Sequence, residues 1–297
     1  MRASMLRGCV NHTVRLHIFL ALFSGLVLSS AVFAQDHIPR SKIFTLGIHP
    51  YLPTQELNMR FQGLVNYLAE QLGEPVNLKI SRDYESHIEL AGNNAYDIAY
   101  MGPSSYVTMT SRYGKRPLLA RVEVNHNPFF KGVIVVHKDS GITALHQLVG
   151  KRFAFGSAHS TMSYIVPRYM LMKAGVEIGA LESYKFLSNH RNVMLGVLLG
   201  EFDAGAVKEE VYAEFAERGI VALEKTPIIS EHVFITRNGI PADKLEKIRQ
   251  IFLSLSKNPN GKDVLSSIKS GVTGFVVVRD QDYDNLRQMM HLLPDKD

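Results

Sequence analysis

Tryptophan is missing from the 297 residues, and cysteine occurs once, at Cys9. A disulfide framework and a four-cysteine metal site are therefore excluded within one chain. Also missing are the short patterns of common catalytic machinery: no Gly-x-Ser-x-Gly elbow, no His-Glu-x-x-His helix, and no glycine-rich loop closed by Lys-Ser or Lys-Thr. The 12 histidines are scattered without metal-ligand spacing. Neither a basic block nor basic residues interleaved with aromatics occurs, which removes the usual footprint of a nucleic-acid binder. No cofactor or metal is expected.

What is present begins with residues 1–34, which read as a cleavable secretory signal. Arg2, Arg7 and Arg15 give a positive start, residues 16–28 are almost wholly apolar, and residues 29–34 are small. Val32 and Ala34 fit the small-residue rule at a cut before Gln35, whereas a lipid-anchor signal needs a cysteine there and Cys9 lies too early. A retained membrane anchor is the rival reading, but the apolar run is shorter than the roughly 20 residues that span a bilayer. Cleavage removes three of 33 basic residues and leaves 30 against 28 acidic ones, a net charge of +2. The remaining 263 residues suffice for two lobes, each with its own core.

The periodicity of the mature chain supports that division. Residues 43–49 alternate toward a strand, and residues 56–72 place Leu57, Phe61, Leu64, Leu68 and Leu72 on one helical face before Gly73. The pattern recurs as strand 76–80, helix 84–91, strand 97–101 and helix 104–112. Beyond Gly132 it restarts, with strands near 133–137, 152–155, 184–187 and 204–207. Such alternation predicts mostly parallel sheets flanked by helices. After Pro227 come a strand at 233–236, helices over 242–256 and 261–269, a strand at 275–278 and a closing helix from Asp282. These would form a third domain or rejoin the first; with no Gly-, Ser- or Pro-rich linker, two close crossings acting as a hinge are preferred. The expected boundaries are 35–131 with 232–297 for one lobe and 132–231 for the other. A short echo links them: GNNAYDIAYM (92–101) and GEFDAGAV (200–207) each run glycine, aromatic, aspartate, small apolar strand.

Four segments in order, DIAYMGPSSY (97–106), GKRFAFGSAHSTMSYIVPRYML (150–171), residues 188–207 and TPIISEHVFITR (226–237), resemble the phosphonate/phosphite type of substrate-binding protein of ABC transporters. That resemblance implies a two-lobed type II periplasmic-binding α/β fold, a periplasmic location, a small phosphate-type oxyanion as ligand, an ABC permease as partner and a monomeric state. It implies an anion turn at Ser160, Thr161, Met162 and Ser163, with Met162 standing where the family usually has a small hydroxyl. A turn feeding a helix offers unpaired amides to an anion, whereas Ser160 read alone is an ordinary helix cap. His190, opening a helix, matches an anion-contacting histidine; capping or a surface position is the alternative.

From the other lobe come Met101, within the DIAYMGPSSY match, and Tyr106, three residues beyond Pro103, whose hydroxyl would donate to ligand although a tyrosine there is more often core; Tyr51 lies in a strand-to-helix loop that opens toward the cleft. Tyr100 alternates with Tyr106 in facing sheet or cleft. Glu210 resembles an acid that meets an ammonium group in aminophosphonate binders, with Glu209 adjacent, and His232 stands beside Glu231 where such binders carry an acid. Two rival functions remain at this stage. A closed binding protein would dock equally on a membrane sensor kinase or cyclase, and a hydrolase on phosphate esters would have to use His190 with Asp203 or Glu210.

Overall fold

The computed structural model describes residues 43–294, so the expected signal at 1–34 lies outside the described residues. Two sheets dominate. The first begins with β1 (Phe44–Ile48), α1 (Thr54–Leu72), β2 (Val76–Ile80), α2 (Tyr84–Gly92), β3 (Ile98–Met101), α3 (Pro103–Tyr113) and β4 (Leu118–Val124). After a short strand β5 (Phe129–Phe130), the second contains β6 (Gly132–His137), β7 (Arg152–Phe155), α4 (Val166–Lys173), β8 (Ser183–Phe186), α5 (His190–Leu198), β9 (Ala204–Lys208), α6 (Glu209–Ala213) and β10 (Ile220–Lys225). The chain returns through β11 (Ile229–Ser230) and finishes with β12 (Val233–Thr236), α7 (Ala242–Ser254), α8 (Gly261–Ile268), β13 (Val272–Val276) and α9 (Asp284–Leu292).

The strand orders are β13-β4-β12-β3-β1-β2 and β10-β6-β9-β7-β8. Both sheets are mixed, which corrects the expectation of mostly parallel ones. β2-β1-β3 and β8-β7-β9 pair in parallel, as strand-helix-strand units must. β12, β4, β6 and β10, which lead into or out of the passages between lobes, pair antiparallel, as does β13 with β4. β12 and β13 both join the first sheet.

The echo between lobes has a structural meaning. Asp97, before β3, accepts the Thr45 amide of neighbouring β1 at 2.9 Å and the Arg237 guanidinium at 2.8 Å. Asp203, before β9, accepts the Arg152 amide of neighbouring β7 at 2.8 Å and the Arg152 guanidinium at 2.8 Å. Each aspartate thus closes the start of an adjacent parallel strand, where a backbone donor lacks a ladder partner.

The two crossings are bonded to each other: β5 and β11 form a two-residue antiparallel ladder, Ile229 opposite Phe130 and Ser230 opposite Phe129. Thr226 reinforces it, its amide donating to Gly132 O at 3.0 Å and its hydroxyl accepting from the Gly132 amide at 2.8 Å. Gly132 has no room for a side chain, since a Cβ would lie 2.8 Å from Met162 Cβ and 2.9 Å from Val207 O. This close approach brings the hinge against the turn at 160–165.

Candidate functional site

The C-terminal ends of β1, β3 and β9, the hinge and the turn before α4 converge on a cavity of about 10 Å³. That is room for about one water-sized group. His49, Tyr84 and Gly102 reach it from the first sheet, Phe130 and His232 from the hinge, and Ser160, Thr161, Met162, His190 and Lys208 from the second. The turn is a single π-helical turn, Thr161–Ile165, running into α4. Such widened turns concentrate at functional sites, and the leading amides of this one have no partner within the helix.

Hydrogen bonds fix the proton positions on four buried imidazoles. His49 Nδ1–H donates to Tyr100 O at 3.0 Å, because a carbonyl only accepts. His87 Nε2–H donates to the same oxygen at 3.1 Å, while its Nδ1 takes the Ser81 hydroxyl at 2.8 Å. His190 Nδ1 accepts the Lys208 amide at 3.2 Å, so its proton sits on Nε2. His232 Nδ1–H donates to Glu231 Oε2 at 2.6 Å. Burial lowers the pKa of all four; it brings His87 to about 3 and, with Lys208 adding to it, His232 to about 4. All four rings are neutral at pH 7.

Lys208 is the charge at the centre of this array. It ends β9 at 5% exposure, with Nζ 4.1 Å from the centre of the Tyr51 ring. Burial lowers its pKa to about 8, so it is cationic at neutral pH but weakly held in that form. Behind it, Lys269 Nζ bridges Glu231 Oε1 at 3.3 Å and Glu210 Oε2 at 3.4 Å. Burial works against the Glu231 charge, yet Lys269 and His232 outweigh it and hold the carboxyl well below its usual range. Lys208, Glu210, Glu231 and Lys269 also line a larger cavity of about 900 Å³ beside the hinge, for which Phe130 and Lys208 form the common wall with the small one.

Ion pairs cross between the lobes along one rim. Arg60 of α1 binds Glu210 of α6 at 2.8 Å, and Arg191 of α5 binds Glu56 of α1 at 3.0 Å. On the opposite side Thr161 Oγ1 accepts the Ser104 amide at 3.0 Å and lies 2.8 Å from Ser104 Oγ.

The sequence-predicted residues divide accordingly. Ser160, Thr161, Met162, His190 and His232 meet at the small cavity. Ser160 is also the helix cap, its hydroxyl accepting the Ser163 amide at 3.2 Å. Tyr51 stands one layer back, supporting Lys208 rather than lining the cavity. Four others lie off this cavity. The Ser163 hydroxyl donates to Ala206 O and accepts the Gly156 amide at 2.7 Å, so it holds the turn to β9 and is turned away from the cavity. Tyr106 is fully buried, packs on Tyr283 with ring centres 5.0 Å apart, and donates to Asp280 Oδ1 at 2.8 Å, so its hydroxyl is engaged there and it does not line the cavity. Met101 is a core residue of β3, and its neighbour Gly102 reaches the cavity instead. Glu210 belongs to the interlobe ion pairs and the larger cavity.

His49, Tyr84, Phe130 and Lys208 were missed. A signal existed for Lys208, a lone cation ending the small apolar strand AGAVK. For His49 it was the position at the carboxyl end of β1, two residues before Tyr51. Phe130 and Tyr84 carry none that separates them from core aromatics.

Two α/β lobes joined by paired crossings, with a polar cavity between them, define a bilobal solute-binding protein. Residues 46–283 match the family described as ABC transporter, phosphonate, periplasmic substrate-binding protein, and the chain belongs to that family. It is a periplasmic substrate-binding component of ABC transport. The chain is 25% identical over 261 residues to the phosphonates-binding periplasmic protein of Escherichia coli K12, covering 84% of this chain and 76% of that one. It is 30% identical over 199 residues to a probable ABC transporter phosphite-binding protein of Prochlorococcus marinus, 64% of each chain. The solved structure of that organism's protein with methylphosphonate has a TM-score of 0.78 at 22% identity, covering 84% of this chain and 97% of that one. A phosphonate-transporter binding protein of Pseudomonas aeruginosa has a TM-score of 0.76 at 21% identity, covering 83% and 85%. These relatives are transport proteins rather than enzymes.

Proposed function

We propose that the chain captures a small phosphate-type oxyanion, phosphite or a phosphonate with a small substituent, between its lobes, which must part from the closed arrangement described above to admit it, and delivers it as a monomer to an ABC permease. The observation that carries this reading is the convergence of Lys208, His190 with its Nε2–H, and the Thr161–Met162 start of the turn, whose amides precede those bonded to Ser160, on one cavity between the lobes. Charge-assisted hydrogen bonds are worth roughly 1.5–3 kcal/mol each, so three or four supply the roughly 8 kcal/mol of micromolar binding after some closing cost. In this reading Ser160, Thr161, Met162, His190, Lys208 and His232 surround the ligand, and the lobes divide at 131/132 and 231/232. The cation at the cavity's centre disfavours aminophosphonates, whose ammonium would face Lys208.

The test is calorimetric titration of ligand-free protein with phosphite, methylphosphonate, phosphate, 2-aminoethylphosphonate and sulfate at one pH. Micromolar or tighter binding of phosphite or methylphosphonate, with 2-aminoethylphosphonate at least tenfold weaker, supports the reading. Silence across the panel from folded, ligand-free protein overturns it.

A further inference from the structure

We propose that His49 and His232 restrict this cavity to oxyanions that carry an acidic hydrogen, a monoprotonated phosphonate, phosphite or phosphate, and reject fully deprotonated tetrahedral dianions such as sulfate. The inference rests on the oxyanion reading above and adds the ligand's protonation state to it.

The two rings share one geometry. Each has its Nδ1–H engaged, His49 with Tyr100 O at 3.0 Å and His232 with Glu231 Oε2 at 2.6 Å. In a neutral imidazole the other nitrogen is then a lone-pair acceptor. Both Nε2 atoms turn toward Gly102 on the cavity wall: a Cβ built there would lie 3.6 Å from His49 Nε2 and 3.7 Å from His232 Nε2. The rings stack with centres 5.3 Å apart and planes 14° from parallel, so the two lone pairs arrive side by side.

One wall of the cavity therefore accepts, while the opposite wall, Lys208 with the His190 Nε2–H, donates. A tetrahedral head with one P–OH satisfies both: its hydroxyl donates to an imidazole and its charged oxygens take the ammonium and the N–H. A dianion without hydrogen sets an oxygen lone pair against two nitrogen lone pairs and leaves those buried acceptors without a donor.

Protonation of the rings would remove the conflict, but their neighbours oppose it. His49 faces His87 and Tyr84 of α2, Tyr51, Tyr100 of β3, His232 and Lys208, none of them an anion at neutral pH. His232 faces Tyr51, Tyr100, Lys208, Lys269 and the carboxylate of Glu231, which is already shared with Lys269. The acidic hydrogen is therefore the ligand's. Phosphate-type groups hold their last proton near neutrality, about pH 6 for a phosphate monoester, whereas sulfate holds none there.

The test compares methylphosphonate, phosphite and sulfate by calorimetry in two buffers of different ionisation enthalpy between pH 6 and pH 8.5. The expected results are sulfate binding weaker by on the order of 100-fold, and uptake of one proton per ligand above the ligand's own last pKa. Loss of the Lys208 charge above about pH 8 weakens all three anions together, so the sulfate-to-phosphonate ratio isolates the effect. In His232→Gln, whose amide donates as well as accepts, the ratio should fall at least tenfold. Sulfate within tenfold of methylphosphonate, or no proton uptake, overturns this inference while leaving the oxyanion reading intact. Absence of binding by all three overturns both.

Discussion

Acid should unfold this protein well before its carboxylates are protonated. The cause lies in the buried imidazoles. A base whose folded pKa is depressed binds fewer protons folded than unfolded, so its contribution is complete above the unfolded value of about 6.5 and is lost as the pH falls below it. His87 and His232, with folded values of about 3 and about 4, each lose about 2 kcal/mol between pH 7 and pH 5. Together they remove about 4 kcal/mol, a large share of the 5–15 kcal/mol typical of a domain. His49 and His190 shift in the same direction and add to the loss. Glu210 and Glu231 do not offset it, because carboxyls with depressed pKa keep their contribution until the pH nears the ordinary carboxylate range. Urea unfolding of the ligand-free protein, followed by circular dichroism at pH 7 and pH 5, measures the difference. His87→Gln removes one titrating ring and should shrink the pH 5 loss by about 2 kcal/mol. A wild-type loss below about 1 kcal/mol would refute the assignment of these rings as buried and neutral.

Lys208→Met should weaken methylphosphonate binding 10- to 150-fold through one lost charge-assisted bond of about 1.5–3 kcal/mol. The same change should leave stability equal or higher, since the depressed pKa marks a buried charge that costs about 3 kcal/mol; a destabilised variant with unchanged affinity contradicts both statements. Thr161→Ala removes the hydroxyl that receives Ser104 across the cleft and should lower affinity about tenfold, with melting temperature changed by only a few degrees. Tyr106→Phe should cost about 1 kcal/mol of stability and leave anion affinity within twofold, because its hydroxyl serves Asp280; a tenfold affinity loss would return Tyr106 to the site. Arg191→Ala removes pairs to Glu56 and Glu214, and small-angle scattering of the ligand-free variant should show a larger radius of gyration than wild type.

The strand-helix repeats were legible because apolar spacing of about 3.6 residues alternated with short apolar runs, and β2, β7 and β12 fall where the pattern placed them. Besides the two-residue β5 and β11, two longer strands escaped. β4 follows α3 but leads to no helix and alternates in burial only around Arg121 and Glu123, and β10 is an edge strand with exposed positions and no continuous apolar face. Both pair antiparallel, so the strand-helix grammar that disclosed the parallel half says nothing of them. Within the site, hydroxyl and helix-start signals pointed to Ser160, Thr161 and His190. His49 and Lys208 depend on strands from different lobes ending at one point, which is a property of topology rather than of any local segment. Tyr106 misled for a related reason: the helical face it occupies turns to Asp280, a residue 174 positions away.

The ladder between β5 and β11 carries Phe130 at its edge and delivers the chain, two residues later, to His232. On the proposed reading, the fulcrum of the molecule and the seat of its cargo are thus nearly the same place. A displacement of a fraction of an ångström there is multiplied by the length of each lobe, so the far tips travel much farther than the atoms that touch the anion. A ligand of a few atoms bound there would in this way govern the spacing of the far surfaces of the two lobes.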